Sequence, residues 1–161
     1  MKIVLEGADG TGKTTLANIL AFKYGLTVCH CTQHDPGDYD FYYQAARKEN
    51  TVWDRHTIGE LIYPHIFGRE PQISWGEAYD LIRKTEADGV KYFVLTLDEQ
   101  ELKARIAKRP NEHPKIVKNI VSINCGFKNW AGILHVPVID TSKMTLNEIF
   151  SLMEEPNGKE I

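Results

Sequence analysis

Three glycines, a lysine and three threonines in one short run, Gly7-Ala8-Asp9-Gly10-Thr11-Gly12-Lys13-Thr14-Thr15, have the types and spacing to hold a chain of phosphates. They spell G-x-x-x-x-G-K-[ST], the Walker A pattern, between an apolar run, Ile3-Val4-Leu5, and an amphipathic segment that begins at Thr15-Leu16. Glycine at 7, 10 and 12 lets the backbone take positive φ angles and curl, so that successive N–H groups point inward and the dipole of the following helix adds to them. In such a nest Lys13 reaches the β- and γ-phosphates as a point charge, the Thr14 hydroxyl is a ligand for Mg²⁺, and Thr15 lies near the α-phosphate. The chemistry implied is binding of ATP with Mg²⁺ by Ala8, Asp9, Gly10, Thr11, Gly12, Lys13, Thr14 and Thr15, followed by transfer of a phosphoryl group.

A second set of residues points at the same place. Asp54-Arg55-His56 closes a short apolar run, Thr51-Val52-Trp53, and ligands of open α/β sheets bind beyond the carboxyl ends of strands. In His34-Asp35-Pro36-Gly37, Asp35 has two readings: a carboxylate placed to take the proton of an alcohol acceptor, or an Asx turn before Pro36. Tyr39, Phe41, Tyr42, Tyr43, Trp53, Tyr63 and Tyr79 either stack on a nucleobase or fill the core. Between Lys103 and Lys128 stand seven cations (Lys103, Arg105, Lys108, Arg109, Lys115, Lys118, Lys128) against one acid, Glu112. That local balance is either a solvated helix face or a phosphate-facing surface. The six histidines lack metal-ligand spacing, so no protein-held transition metal is expected.

Composition narrows the class. A chain of 161 residues with 42% hydrophobic and 25% charged residues suits one domain, 1–161, with a full core. The net charge of −3 argues against a protein that coats nucleic acid. Cys29, Cys31 and Cys125 form no C-x-x-C pair, which suits a reducing compartment, and no apolar run approaches a membrane span. The expectation is a cytoplasmic protein with no membrane contact.

These side chains need strands and helices to bring them together. Periodicity and breakers predict strands at 2–6, 26–31, 51–53, 90–97 and 134–139. Helices are predicted at 13–24 (buried stripe Leu16, Ile19, Leu20, Phe22), 39–48, 57–67, 74–87, 101–109, 115–130 and 146–153, with a frayed tail from Pro156. Strand and helix alternate, so the fold class is α/β, a parallel sheet with helices on both faces.

The run Glu6 to Thr15 resembles the phosphate loop of thymidylate kinases, which carries the same Glu-Gly-x-Asp-Gly-x-Gly-Lys-Thr-Thr wording. Asp54-Arg55-His56 is similar to that family's Asp-Arg-aromatic motif, and Lys103-x-Arg105-x-x-x-Arg109 falls where its mobile lid supplies arginines. The segment Ile139-Asp140-Thr141-Ser142 resembles the one that lies against adenine. The resemblance implies a three-layer P-loop NTPase fold, strand order 2-3-1-4-5, with a short helical lid at about 105–118. It implies that Lys13, Arg55, Arg105 and Arg109 act in transfer, that Arg105 and Ser142 also contact ATP, and that Asp54 holds Mg²⁺ through water; Asp35 joins the catalytic candidates on its reading as a base for an alcohol acceptor. The resemblance makes Arg55 the acceptor's clamp and leaves a homodimer open; with the neighbouring candidates read from the residues themselves, the acceptor is expected against Asp9, His34, Asp35, Phe41, Arg55 and Tyr63.

One position departs from the family. Where thymidylate kinases commonly have Arg-Glu-Pro-Gly, this chain has His34-Asp35-Pro36-Gly37, and an imidazole lacks the fixed charge and forked donors of a guanidinium. Either Arg55 and others hold an acceptor phosphate without that arginine, or the acceptor is not a monophosphate. The residues therefore leave three readings open: a kinase of a nucleotide or nucleoside, a kinase of a hydroxyl on DNA such as a hydroxymethylated pyrimidine, and a P-loop ATPase or switch with no acceptor.

Overall fold

The structure is a computed structural model that describes residues 1–32 and 34–155. Gln33 and the tail from Pro156 lie outside the described residues. The chain runs β1 (Lys2–Gly7), α1 (Lys13–Tyr24), β2 (Thr27–His30), α2 (Tyr39–Arg47), β3 (Thr51–Asp54), α3 (Thr57–Glu60), α4 (Tyr63–Phe67) and α5 (Trp75–Ala87). It continues through β4 (Val90–Thr96), α6 (Glu99–Ala107), α7 (Pro114–Ile133), β5 (Val138–Asp140) and α8 (Leu146–Glu154). The strands form one parallel sheet in the order β2-β3-β1-β4-β5, as expected.

Period-two alternation divides the core between the two faces of the sheet. Ile3 and Leu5 of β1 with Phe93 and Leu95 of β4 pack on Leu16, Ala17 and Leu20 of α1 and on Ile149 and Met153 of α8. Val4, Trp53, Tyr92 and Val94 face the other way, onto Tyr42 and Ala46 of α2, Ala78, Leu81 and Ile82 of α5, and Ile123 and Phe127 of α7. Because β1 is central, the loop that follows it emerges in the middle of the sheet's carboxyl edge, with β3 on one side and β4 on the other.

Three expectations need correction. Phe22 is 95% exposed; it lies about 240° round the helix from Leu16, off the stripe that Leu16, Ala17 and Leu20 present to the sheet. The helix expected over 57–67 is two short ones, because Pro64 has no N–H for the Glu60 carbonyl and can sit only in the first turn of a new helix, α4. Residues 134–136 end α7 rather than open β5: Leu134 N–H donates to Trp130 O at 2.8 Å and Val136 N–H to Ala131 O at 2.9 Å. Leu134 and Val136 are buried there, which is why they imitate a strand in the sequence.

Candidate active site

The loop between β1 and α1 has the curl that its glycines permit. Gly10 and Gly12 have φ of 86° and 94°. A Cβ on Gly10 would come within 3.2 Å of both Leu102 and Ile106, so α6 lies directly on the loop. Lys13 is buried and folded back on it, Nζ donating to Ala8 O at 2.8 Å. Burial, and then repulsion from Arg55, pull its pKa down to about 8, against the attraction of Asp9, Asp54 and Glu6.

At the end of the neighbouring strand β3, Asp54 is 3% exposed and its Oδ2 accepts the Thr14 hydroxyl at 2.5 Å. Its Oδ1 is buried with no hydrogen-bond partner among the described residues. An alcohol from the first turn of α1 and a carboxylate from the end of β3, with one carboxylate oxygen unsatisfied, form a hard-oxygen donor set suited to a hydrated divalent cation. Thr14 and Asp54 therefore fit Mg²⁺.

The residue after Asp54 turns the chain. Arg55 has φ of 75°, a left-handed conformation that costs a residue with a Cβ roughly 1–2 kcal/mol. It aims the guanidinium at Asp9 of the phosphate loop, and the two form an ion pair. Tyr63 of α4 completes the group, its hydroxyl donating to Asp9 Oδ2 at 2.8 Å while the guanidinium lies 5.5 Å from the ring centroid. Burial works against ionisation of Asp9, but the Arg55 and Lys13 charges and the Tyr63 hydrogen bond outweigh it and hold the carboxyl below its ordinary range. A cavity of about 100 Å³ joins these parts, lined by Asp9, Gly10, Gly12, Lys13, Thr14, Thr15, Asp54, Arg55 and Arg109.

Other residues singled out from the sequence lie at the rim or outside. Arg105 on α6 donates to Gly10 O at 3.2 Å and to Glu101 at 2.5 Å, and Arg109, in the connection between α6 and α7, pairs with Glu112 at 3.0 Å. Lys103 pairs with Glu99 at 2.5 Å, so three cations of the basic segment already have acidic partners. Asp35 is turned into its own loop, where Oδ2 accepts from Thr32 N at 2.6 Å and Thr32 Oγ1 at 3.0 Å; it does not line the cavity. The exposed His34 donates its backbone N–H to Thr32 Oγ1 at 3.3 Å in the same turn. Phe41 packs edge-on against Tyr42, with centroids 5.3 Å apart, and Ser142 is exposed and donates to Asp140 at 2.5 Å.

Three features escape the sequence reading. Thr141, beside Ser142, donates its hydroxyl to Thr11 O at 3.1 Å and Thr96 O at 3.0 Å, tying the end of β5 to the phosphate loop. Glu60, 7% exposed, is held bidentately by Arg69 at 2.5 and 2.7 Å and by Gln72 N at 2.9 Å, which fixes the turn after α4. Glu6 is 1% exposed although it ends the run that opens β1. Only Glu6 leaves a signal, as a carboxylate inside an apolar strand.

A larger open depression of about 590 Å³, lined by Lys2, Gln44, Arg47, Lys48, Glu49 and Asp88, lies at the amino-terminal end of the sheet. Four of its charges form pairs, Lys2 with Glu49 at 3.1 Å and Arg47 with Asp88 at 3.0 Å, and it lies at the end of the sheet opposite the phosphate loop. Among the described residues no helix is long and apolar enough to cross a membrane.

No family model matches the chain. A guanylate kinase of Rhizobium johnstonii is 24% identical over 179 residues, spanning 96% of this chain and 81% of that one. The YorR protein of Bacillus subtilis, solved in complex with phosphorylated GDP, superposes with a TM-score of 0.77 at 20% identity, over 94% of this chain and 92% of that one. Deoxyadenosine kinase of M. mycoides with bound dCTP superposes at 0.58 and 16% identity, over 95% and 97%. The fold is that of the P-loop kinases. A thymidylate kinase of Candida albicans aligns at 0.50, so thymidylate kinase is one of several kinase neighbours and the likeness holds at the level of the P-loop kinase fold.

Proposed function

We propose that this chain is an ATP-dependent phosphotransferase that moves the γ-phosphoryl group onto a nucleotide or nucleoside. The observation that carries the reading is the cavity that joins the Walker loop and Thr14–Asp54 to Asp9 and Arg55, with Tyr63 hydrogen-bonded to Asp9 beside them. On this reading Lys13 exchanges its Ala8 carbonyl for the donor's phosphates, and the loop amides orient them. Thr14 and Asp54 hold Mg²⁺, which when bound neutralises charge on the phosphate oxygens. Arg55 faces the acceptor, and Arg105 and Arg109 close over the transferring group and exclude water.

The test is a radiolabelled-ATP screen over deoxynucleosides, their monophosphates, and single- and double-stranded oligonucleotides with and without hydroxymethylated bases. Label on a nucleoside or monophosphate supports the reading. Label only on oligonucleotides, or hydrolysis indifferent to every acceptor, replaces it.

A further inference from the structure

Glu6 stands where β1 passes into the phosphate loop, yet it faces away from α1, toward the segment that follows β3. Its Oε1 accepts the backbone N–H of Ile58 at 2.5 Å, while Oε2 is buried with no hydrogen-bond partner among the described residues. Ile58 is the second residue of α3, a position whose amide an N-cap side chain usually satisfies. His56 gives no such cap, because its Nδ1 is turned to the Thr57 hydroxyl at 2.7 Å. The cap comes from the neighbouring strand instead.

Its location gives that cap a consequence. The β1–β3 ladder continues one residue past β3, with Arg55 N–H donating to Leu5 O at 2.9 Å, and the chain then turns at Arg55 into its left-handed conformation. Leu5 holds the amide of Arg55 and Glu6 holds the amide of Ile58, three residues on, so consecutive residues of β1 tie the chain at the turn and just beyond it. A strained conformation persists only where its surroundings over-determine it, and here β1 supplies them.

We propose that Glu6 is a positioning residue, a cap supplied from β1 that holds the turn at Arg55 and so keeps the guanidinium aimed at Asp9 and the acceptor. The proposal rests on the reading of Arg55 as the acceptor-facing arginine. The role needs a hydrogen-bond acceptor at Oε1 and no charge, so glutamine performs it and alanine does not.

The experiment compares the wild-type chain with Glu6→Ala and Glu6→Gln by backbone hydrogen exchange, calorimetric binding of Mg·ADP, and acceptor kinetics. In Glu6→Ala the amides of residues 56–59 exchange at least 10-fold faster while those of residues 8–16 do not. The acceptor kcat/KM falls at least 10-fold and the Mg·ADP Kd stays within twofold. Glu6→Gln restores both protection and acceptor kcat/KM to within about threefold of wild type. Should Glu6→Ala not fold, Glu6→Asp withdraws the acceptor by one methylene and is read in the same way. Unchanged exchange at 56–59, a parallel loss of Mg·ADP affinity, or failure of glutamine to rescue overturns the proposal. If the wild-type chain phosphorylates no acceptor, the proposed function fails by itself, and the exchange data still decide whether Glu6 holds the turn.

Discussion

Acidification from pH 7.5 to 5 acts in opposite directions on two buried groups, His56 and Glu6. His56 is 2% exposed, and burial pulls its pKa from 6.5 to about 3. The folded pKa is depressed, so the neutral ring's stability is present above 6.5 and is lost as the pH falls towards 3. At 1.36 kcal/mol per pH unit, the drop from 6.5 to 5 costs about 2 kcal/mol. Burial raises Glu6 from 4.5 to about 7, against the Ile58 amide and the charges of Lys13 and Arg55. Its contribution has the other sign: it is full below 4.5 and lost as the pH rises through 7, so acidification from 7 to 5 restores about 3 kcal/mol. The two effects nearly cancel in the wild-type chain and separate in single variants. His56→Phe keeps a ring inside the cage of Tyr42, Trp53 and Tyr92, whose centroids lie 4.8 to 6.1 Å away. It gives up the contact with Thr57, a loss of about 1 kcal/mol that is the same at both pH values. Urea unfolding in EDTA at pH 7.5 and 5.0 measures the difference. Relative to wild type, His56→Phe gains about 2 kcal/mol on acidification and Glu6→Gln loses about 3, shifts on the order of 1 M in urea midpoint. Two variants that followed the wild-type pH curve to within about 0.5 kcal/mol would refute the reasoning, since imidazole and carboxyl would then have the same access to water folded and unfolded.

Arg69→Ala strips Glu60 of its bidentate partner and leaves a buried carboxylate on one amide. The loss expected in urea unfolding is on the order of 3 kcal/mol, the lower end for a broken buried pair because Arg69 itself is 41% exposed. Gly10→Ala places a methyl against Leu102 and Ile106 at positive φ; it costs about 1–2 kcal/mol of stability. By displacing α6 it weakens Mg·ADP binding at least 10-fold by calorimetry, and affinity equal to wild type would show that α6 does not shape the loop. Thr141→Val keeps the shape and removes the hydroxyl shared by Thr11 O and Thr96 O, for a loss of about 1 kcal/mol. A Mg·ADP Kd raised several-fold accompanies it, and an unaltered Kd would limit Thr141 to a structural tie.

The parts of the site that lie next to a strand end in the sequence were legible there. Asp9 and Lys13 follow β1, and Asp54 ends β3 with Arg55 next after it, so once the sheet is parallel with β1 beside β3, they must converge. What was not legible depends on partners far away in the chain or outside the window considered. The basic segment looks unpaired when counted from Lys103, but in a helix the partner of residue i can stand at i−4, and Glu99 and Glu101 precede the count. Glu60 and Arg69 sit on either side of a helix break that only Pro64 announces. Phe22 and Leu134 show the complementary error, in which apolar character alone fixes neither exposure nor element type.

The way the arginines are held divides the site into a floor and a cover. Arg105 and Arg109 are exposed, and their pairs with Glu101 and Glu112 are i,i+4 and i,i+3 surface contacts, a class that contributes about 0–1 kcal/mol each. Giving them up to an incoming phosphate therefore costs little. Arg55 is held by a carboxylate that is 6% exposed, by the ring and hydroxyl network of Tyr63, and by a backbone turn tied to β1 at Arg55 and just beyond it. Moving it would leave Asp9 buried and unpaired, the expensive outcome for a desolvated charge. On the proposed reading, then, closure rearranges the α6–α7 side, while Asp9, Arg55 and Tyr63 stay in place as the surface on which the acceptor is set before the cover comes down.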